Sequence, residues 1–337
     1  MDPTPKSAHN DATLSAISVG YKNPMFVADS IFPIVRVGKQ SDYYYQFLKG
    51  AFHRNEAGRR APGAQAHRGD YKVTPSLYKC EEYAFGHVVP IELINNADVP
   101  LRPFESGARF ATQKVMLAKE KLASDLCTTA ANWTSSNDAE GGWAAAATTN
   151  TFIVDVETYK ETIRKLIGVY PNKMVISANT MKELKQCGDV LDRIKYTGTQ
   201  GRPAAVTAQA LAALFELDEV LIAGAIYSDA EEVAAGTDFN AVNMWEVNAN
   251  KGAALLYYQE PNPAIEVPSA GYCFNWPGDE GIPDLMAQVA DNNNPYRTVR
   301  YYWEKSIKSY VVEASEYLDL EIVCKDAGCL FYDTIAD

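Results

Sequence analysis

The longest helical pattern in the chain covers residues 103–129. Its small and apolar residues recur three or four positions apart, which places them on one face of a helix: Ala108, Ala111, Val115, Ala118, Leu122 and Leu126. Lys119 and Lys121 fall outside this stripe, and Pro103 suits a first helical turn. Lys121 and Asp125 have the spacing of an i, i+4 ion pair. At about 1.5 Å per residue, the predicted helix is roughly 40 Å long.

Before this helix, two stretches of alternating apolar residues flank a polar connector. The first strand places three aromatic residues on one face: Tyr43, Tyr45 and Phe47. The returning strand alternates at Tyr78, Cys80, Tyr83 and Phe85. The connector, residues 51–69, has no apolar periodicity and carries four arginines: Arg54, Arg59, Arg60 and Arg68.

This pattern predicts a hairpin over residues 38–86. Ten-residue strands at about 3.3 Å per residue reach roughly 33 Å, far enough to leave the parent domain and lie on a neighbouring subunit. An isolated two-stranded hairpin is only marginally stable in water, so a neighbour is expected to order it. The alternative is a solvated basic loop without a partner.

After the long helix the pattern becomes α/β. Residues 155–168 and 207–217 read as helices, and residues 174–177, 220–225 and 253–258 read as short strands. Thr180 and Glu183 have the spacing of a capping box that opens another helix.

The last forty residues are β in pattern, ending in a predicted hairpin through residues 326–328. The apolar face of a sheet must be covered, and the long helix is the one amphipathic element left unassigned. We therefore expect the C-terminal sheet to pack on the long helix.

The first 30 residues are polar with few periodic apolar positions, which indicates an extended arm. A short motif begins near the end of this arm and consists of the following residues: Asn23-Pro24, Ala28-Asp29, Phe32-Pro33, Val35, Val37, Lys39-Gln40-Ser41 and Tyr44. This motif resembles the opening of tailed-bacteriophage major capsid proteins of the Hong Kong 97-like fold, and the order of elements after it agrees over nearly the whole chain.

The resemblance implies an α+β fold with four parts. These are an N-terminal arm (1–37), an extended hairpin loop (38–86), a peripheral domain (87–150 and 265–337) built on the spine helix 103–129, and an inserted α/β axial domain (151–264). The hairpin corresponds to the loop that overlaps the adjacent subunit in that family. The expected subunit-interface residues are Tyr43, Tyr45, Phe47, Arg54, Arg59, Arg60 and Arg68.

The function implied by the resemblance is that of a major head protein. Such a chain self-assembles into pentamers and hexamers, which form an icosahedral shell around the packaged double-stranded DNA. Its implied partners are itself and scaffolding, portal and decoration proteins. Its implied location is the virion capsid, with assembly in the cytoplasm of the bacterial host.

The net charge of −12 is unevenly distributed. Residues 210–290 hold thirteen acidic residues against a single base, Lys251, whereas the rest of the chain has 30 acidic and 30 basic residues. A chain with this distribution lacks the basic field that holds duplex DNA tightly, so we expect it to enclose DNA without gripping it. The arginines of the connector are expected to contact the acidic region on a neighbouring subunit.

Searches for motifs of catalysis and metal binding are negative. The sequence contains no GxSxG, Walker, GxGxxG or HExxH motif, no CxxC, and no histidines at ligand spacing. We therefore predict no catalytic, cofactor or metal site, and no membrane span because no run approaches 18 apolar residues. Two alternatives remain open: another phage structural oligomer, such as a tail or decoration protein, and an unrecognised cytosolic α/β enzyme.

Overall fold

The computed structural model describes residues 26–96, 102–145, 147, 150–195, 205–230, 240–247, 251–260, 262, 267–278 and 297–335. The first 25 residues of the predicted arm lie outside these ranges. No helix within them is both long and apolar enough to cross a membrane.

The described residues form helices and two main sheets. The helices are α1 (Ala28–Ile31), α2 (Lys49–His53), α3 (Ile91–Asn96), α4 (Pro103–Thr128), α5 (Phe152–Ile167), α6 (Ala178–Leu184), α7 (Gly188–Lys195) and α8 (Ala208–Leu214). The strands are β1 (Ile34–Arg36), β2 (Ser41–Phe47), β3 (Val73–Lys79), β4 (Glu81–Pro90), β5 (Ser135–Asp138), β6 (Lys173–Ser177), β7 (Glu219–Ala223), β8 (Ile226–Ser228), β9 (Ala241–Asn243), β10 (Ala253–Tyr257), β11 (Tyr272–Asn275), β12 (Thr298–Glu304), β13 (Ser309–Glu321) and β14 (Gly328–Tyr332).

The long helix is confirmed as α4, which has 26 residues and Pro103 in its first turn. Its N-terminal half buries the predicted positions Ala108, Ala111 and Val115. In its C-terminal half the buried face is shifted by one position, to Lys119, Glu120, Ala123, Ser124 and Cys127. The prediction that Lys119 lies off the buried face is therefore wrong.

The sheet of the predicted peripheral domain, called the peripheral sheet below, is built around β13. Strands β12 and β4 pair with β13 in antiparallel fashion, β11 pairs with its C-terminal end, and β1 runs parallel to β11. Small and β-branched side chains from the sheet and from α4 meet in one buried cluster: Val89, Ala108, Ala111, Val115, Val299, Val312 and Ala314. The expected packing of the C-terminal sheet on the long helix is confirmed.

The sheet of the predicted axial domain, called the axial sheet below, has the strand order β5-β14-β10-β6-β7. The predicted hairpin through residues 326–328 is wrong, because β14 pairs with β10 and β5 rather than with β13. Cys329, Leu330 and Phe331 are all buried, as expected for consecutive apolar residues of a strand covered on both faces. Strands β5 and β14 therefore belong to the same sheet as the strands of the predicted axial domain.

Local signals explain most helix boundaries in the axial part. Helix α5 ends at Gly168, whose φ of 83° is left-handed and whose N–H donates to the carbonyl of Arg164 at 2.8 Å. Helix α6 is capped by Ser177, whose hydroxyl accepts from the Thr180 N–H at 3.3 Å. The predicted capping box at Thr180 and Glu183 is therefore wrong, because the helix begins one turn earlier.

The contact between α4 and the peripheral sheet leads to a stability prediction. Ala111 is fully buried against this sheet, so Ala111→Leu is expected to overpack the contact and destabilise the subunit by about 1–3 kcal/mol. Arg109 is exposed on the same helix, and Arg109→Leu is the control, expected to stay within about 0.5 kcal/mol of the wild type. Urea unfolding of the unassembled subunit measures both. Equal stability of the two variants would contradict this packing.

Candidate subunit interface

The hairpin of β2 and β3 has two different faces. The register pairs Tyr43 with Leu77 and Tyr45 with Pro75, so these four side chains share the outer face. Tyr43 is 60% exposed, Tyr45 67% and Leu77 53%. Such a row of exposed apolar groups on a folded chain is typical of a protein–protein contact.

The inner face of the hairpin packs on its own subunit. The rings of Tyr44 and Tyr78 lie 5.4 and 4.7 Å from the ring of Phe274 in β11, measured between centroids. The side chain of Gln46 donates to the carbonyl of Val323 at 3.0 Å. The expectation that the whole hairpin leaves its own domain is therefore wrong for its strands, because this aromatic contact holds them on the peripheral sheet.

The hairpin is also shorter than predicted. The returning strand is interrupted at Cys80, whose N–H donates to the carbonyl of Gln40 at 2.8 Å. Beyond Cys80, β4 pairs with β13 and is part of the peripheral sheet. The alternation of Tyr78, Cys80, Tyr83 and Phe85 runs through this break, which is why the sequence pattern overestimates the length of the strand.

The hairpin tip, residues 48–72, begins with an aromatic cluster. Phe47 packs against Phe52 and Tyr71, with centroids 6.0 and 5.8 Å away, which leaves Phe47 half-buried although Phe52 and Tyr71 stay more than half exposed. Lys49 forms an ion pair with Asp326 of its own subunit, which anchors the start of the tip. The aromatic part of the tip is therefore both ordered and accessible.

The four predicted arginines lie in the exposed part of the tip. Arg54 donates to the carbonyl of Gly50 at 2.8 Å and lies 3.4 Å from the Glu56 carboxylate. Arg59, Arg60 and Arg68 are exposed and form no ion pair with any residue that the structure describes. The structure thus brings Tyr43 and Tyr45 together on the outer face, and separates them from the basic tip by the cluster around Phe47.

Within the described ranges, no group of three or more histidine, cysteine or acidic side chains has the arrangement of a metal site. Burial raises the pKa of the Cys80 and Cys273 thiols to about 12, so both are protonated at neutral pH and are poor nucleophiles.

Comparisons with known proteins agree with this architecture. No protein-family model matches the chain. The major capsid protein of Burkholderia phage BcepMu is 27% identical over 286 residues, which cover 83% of this chain and 87% of that relative. A phage-related protein from Bordetella bronchiseptica RB50, known from a crystal structure, has a TM-score of 0.70 and 23% identity, with 98% of this chain and 99% of that chain covered. The capsid protein of cyanophage P-SCSP1u has a TM-score of 0.54 and 10% identity, with 90% and 86% covered.

The chain has the Hong Kong 97-like fold and is similar over most of its length to phage major capsid proteins. Its fold class, α+β, is the one that the sequence predicts, and its role is to form the shell. The agreement extends over nearly the whole chain, which favours a shell protein over a tail or decoration protein.

Sequence reasoning missed a buried ionic network in this chain. Lys119 of α4 lies 2.6 Å from the Asp29 carboxylate and 2.9 Å from that of Glu316, which is fully buried and also lies 3.0 Å from Arg297. Desolvation lowers the pKa of Lys119, but the carboxylates of Glu316 and Asp29 outweigh it and the net shift is upward. Lys119 is therefore an ammonium ion that joins the N-terminal segment, the spine helix and the peripheral sheet.

The neighbouring Glu120 holds the N-terminal segment by its backbone. Its carboxylate accepts the N–H of Val27 at 3.0 Å, that of Ala28 at 2.8 Å and the indole N–H of Trp245 at 2.7 Å. Val27, Ala28 and Phe32 are buried, so the expectation of an extended arm is wrong from residue 27 onward. The sequence gives no clear sign of this contact, because Glu120 stands in the charged run Lys119-Glu120-Lys121, and such a run in a helix is normally exposed to solvent.

The exposed aromatic face leads to a prediction about assembly. Tyr43→Ser with Tyr45→Ser is expected to leave the fold intact and to raise the protein concentration needed for assembly by at least about tenfold, because covering one large apolar side chain is worth about 1.5–3 kcal/mol. Light scattering against concentration measures this. Val154→Ser, at a residue of α5 that is 66% exposed, is the control and should assemble like the wild type. An unchanged threshold for the double variant would exclude this face from the interface.

Proposed function

We propose that this capsid protein assembles into pentameric and hexameric rings that close an icosahedral head around the packaged double-stranded DNA of a tailed phage. The observation that carries the proposal is the hairpin, whose outer face and basic tip are left uncovered by its own subunit. In a chain with the capsid fold, a second copy is the partner that covers them.

The hairpin supports ring formation because the patch that it contacts on a neighbouring subunit is not another hairpin, so the two sides of the contact are different surfaces. A contact between two different patches of identical chains is heterologous, and its repetition closes a ring when the rotation per subunit divides a full turn. Apolar burial of Tyr43, Tyr45 and Leu77 supplies most of the adhesion, since an exposed ion pair contributes only about 0–1 kcal/mol. The tip arginines then set register and partner choice more than affinity.

The remaining parts of the proposal follow from this role. The protein acts in the virion capsid after assembly in the cytoplasm of the host, and scaffolding, portal and decoration proteins complete the head. It catalyses no reaction and requires no cofactor, and its buried, protonated thiols are consistent with a structural role.

Sedimentation velocity of the purified protein tests the proposal. With scaffolding protein or a crowding agent present, we expect discrete rings and closed particles at high protein concentration. A chain that sediments as a monomer under all these conditions would contradict the proposed function.

A shell that encloses DNA without binding it tightly should have a low affinity for duplex DNA. We expect negligible affinity of the unassembled protein for duplex DNA at roughly 0.15 M salt, because a net charge of −12 repels the phosphate backbone and outweighs the attraction of the basic residues. Filter binding with labelled duplex measures this. Submicromolar binding with a steep salt dependence would contradict the expectation.

A further inference from the structure

The hairpin of β2 and β3 contacts its own subunit at its base, at its middle and at its outer end. At the base, the Cys80 N–H donates to the Gln40 carbonyl at 2.8 Å, and the side-chain amide of Gln40 donates to the Cys80 carbonyl at 3.1 Å. The backbone N–H of Lys79 donates to the Asp319 carboxylate of β13 at 2.7 Å. These hydrogen bonds fix the point at which the hairpin leaves the peripheral sheet.

The middle of the hairpin is held by a buried aromatic cluster. The ring of Phe274 in β11 stacks with the ring of Tyr78 and also contacts that of Tyr44, with centroids 4.7 and 5.4 Å away. Tyr78 and Phe274 are both buried, and Val323 packs against the same cluster. Ring contacts of this kind are typical of protein cores, so the middle of the hairpin is packed as part of the subunit.

The outer end of the hairpin is held at the link between the two sheets. This link, residues 322–327, connects β13 of the peripheral sheet to β14 of the axial sheet. The side chain of Gln46 donates to the Val323 carbonyl at 3.0 Å, and Lys49 forms an ion pair with Asp326. The hairpin is therefore attached both to the peripheral sheet and to the segment by which the chain leaves that sheet.

The start of the tip also reaches a helix that packs on the axial sheet. The imidazole of His53 occupies the space in which a side chain at Gly168, the residue that ends α5, would stand. The hairpin thus lies along its own subunit over its whole length. A two-stranded hairpin without such support is only marginally stable in water, so these contacts order it in the free subunit.

A small change in the direction of the hairpin moves its outer end by a large distance. Strand β2 has seven residues, which span roughly 23 Å at about 3.4 Å per residue. A tilt of about 10° at the base would shift the outer end by roughly 4 Å. A contact between different patches of identical chains closes a ring only for certain rotations per subunit, and otherwise continues into an open assembly. The direction of the hairpin therefore matters for closure.

We propose that Phe274, Val323 and Asp326, called the seat below, preset the direction of the hairpin in the free subunit and so determine whether assembling copies close into a shell. The three are positioning residues, because they act through the hairpin of their own subunit. The proposal rests on the proposed function, since it concerns how the assembling surface is presented. Because Val323 and Asp326 belong to the link, the direction of the hairpin depends on how the two sheets are joined.

The ion pair of Lys49 with Asp326 is the part of the seat that can be reversed without changing a buried core. Lys49→Asp and Asp326→Lys each place like charges at the outer end of the hairpin, and both substitutions in one chain restore an opposite pair. Hydrogen exchange of the unassembled subunit should be slow at the β2 amides of the wild type, at least about tenfold faster in each single variant, and slow again in the double variant. Lys39→Asp reverses an exposed pair with Asp42 inside the hairpin itself, and as the control it should exchange like the wild type.

Electron microscopy of the assembled protein tests the consequence for closure. Each single variant is expected to form open or irregular particles and to lower the yield of closed shells by at least about tenfold, and the double variant is expected to restore that yield. An equimolar mixture of the two single variants should not restore it, because the pair lies within one subunit.

Three results would overturn the role of the seat while the wild type still forms shells. The first is restoration of closed shells by the mixture, which would show that the pair acts between subunits. The second is a wild-type yield from the single variants. The third is rapid exchange at the β2 amides of the free wild-type subunit. A wild-type chain that never assembles would overturn the proposed function as well.

Discussion

Replacing Arg59 and Arg60 with glutamate is expected to give a folded, soluble subunit that no longer forms closed shells. Both side chains are exposed in the tip and form no ion pair within the described chain, so the subunit itself loses nothing when they change. An exposed ion pair is worth only about 0–1 kcal/mol, but reversal turns attraction into repulsion at every contact of the shell. A small error in one interface is thereby repeated in every subunit.

Electron microscopy and thermal unfolding measure the two halves of this prediction. Counts of closed particles are expected to fall by at least about tenfold, whereas the thermal midpoint of the unassembled subunit should not change. Lys305→Glu, an equal charge reversal away from the tip, should assemble normally. Wild-type yields from the double variant would reject the role of the tip, as would loss of the fold.

The largest expected effect on stability comes from Lys119→Met. Lys119 is 3% exposed and lies between half-buried Asp29 and fully buried Glu316. Its removal takes away the cation that the two carboxylates share and leaves Glu316 with Arg297 alone. Breaking a buried ionic network by removing one partner typically costs about 3–5 kcal/mol. The cost should appear as a lower urea midpoint of the unassembled subunit, together with faster proteolysis near Asp29.

Lys121→Met is the matched control two residues along the same helix. Lys121 forms an exposed i, i+4 pair with Asp125, so its loss is expected to cost less than about 0.5 kcal/mol. Equal effects of the two substitutions would show that the network around Lys119 contributes no more than a surface pair.

The comparison of Lys119 with Lys121 shows where sequence reasoning succeeds and where it stops. Periodicity predicts α4 and its buried N-terminal stripe, because apolar spacing reports directly which face is covered. It treats both lysines as solvated, because a buried charge depends on partners such as Asp29 and Glu316 that are distant in sequence.

The pairing of the strands is also set by contacts between residues that are distant in sequence. The run of apolar residues around Leu330 predicts a β-strand, but the pairing of β14 with β10 is a long-range contact that a local pattern does not encode. At the candidate interface, Tyr43, Tyr45 and the tip arginines stand out from the sequence. The contacts that hold the hairpin on its own subunit do not, because Phe274 and Val323 are distant from it in sequence and only the fold brings them together.

High-resolution electron microscopy of assembled particles tests the central claim most directly. We predict closed shells of pentameric and hexameric rings in which the outer face of each hairpin, at Tyr43 and Tyr45, is covered by a neighbouring copy. Particles in which this face and the tip remain exposed to solvent, or preparations that contain only tubes or compact monomers, would contradict the account.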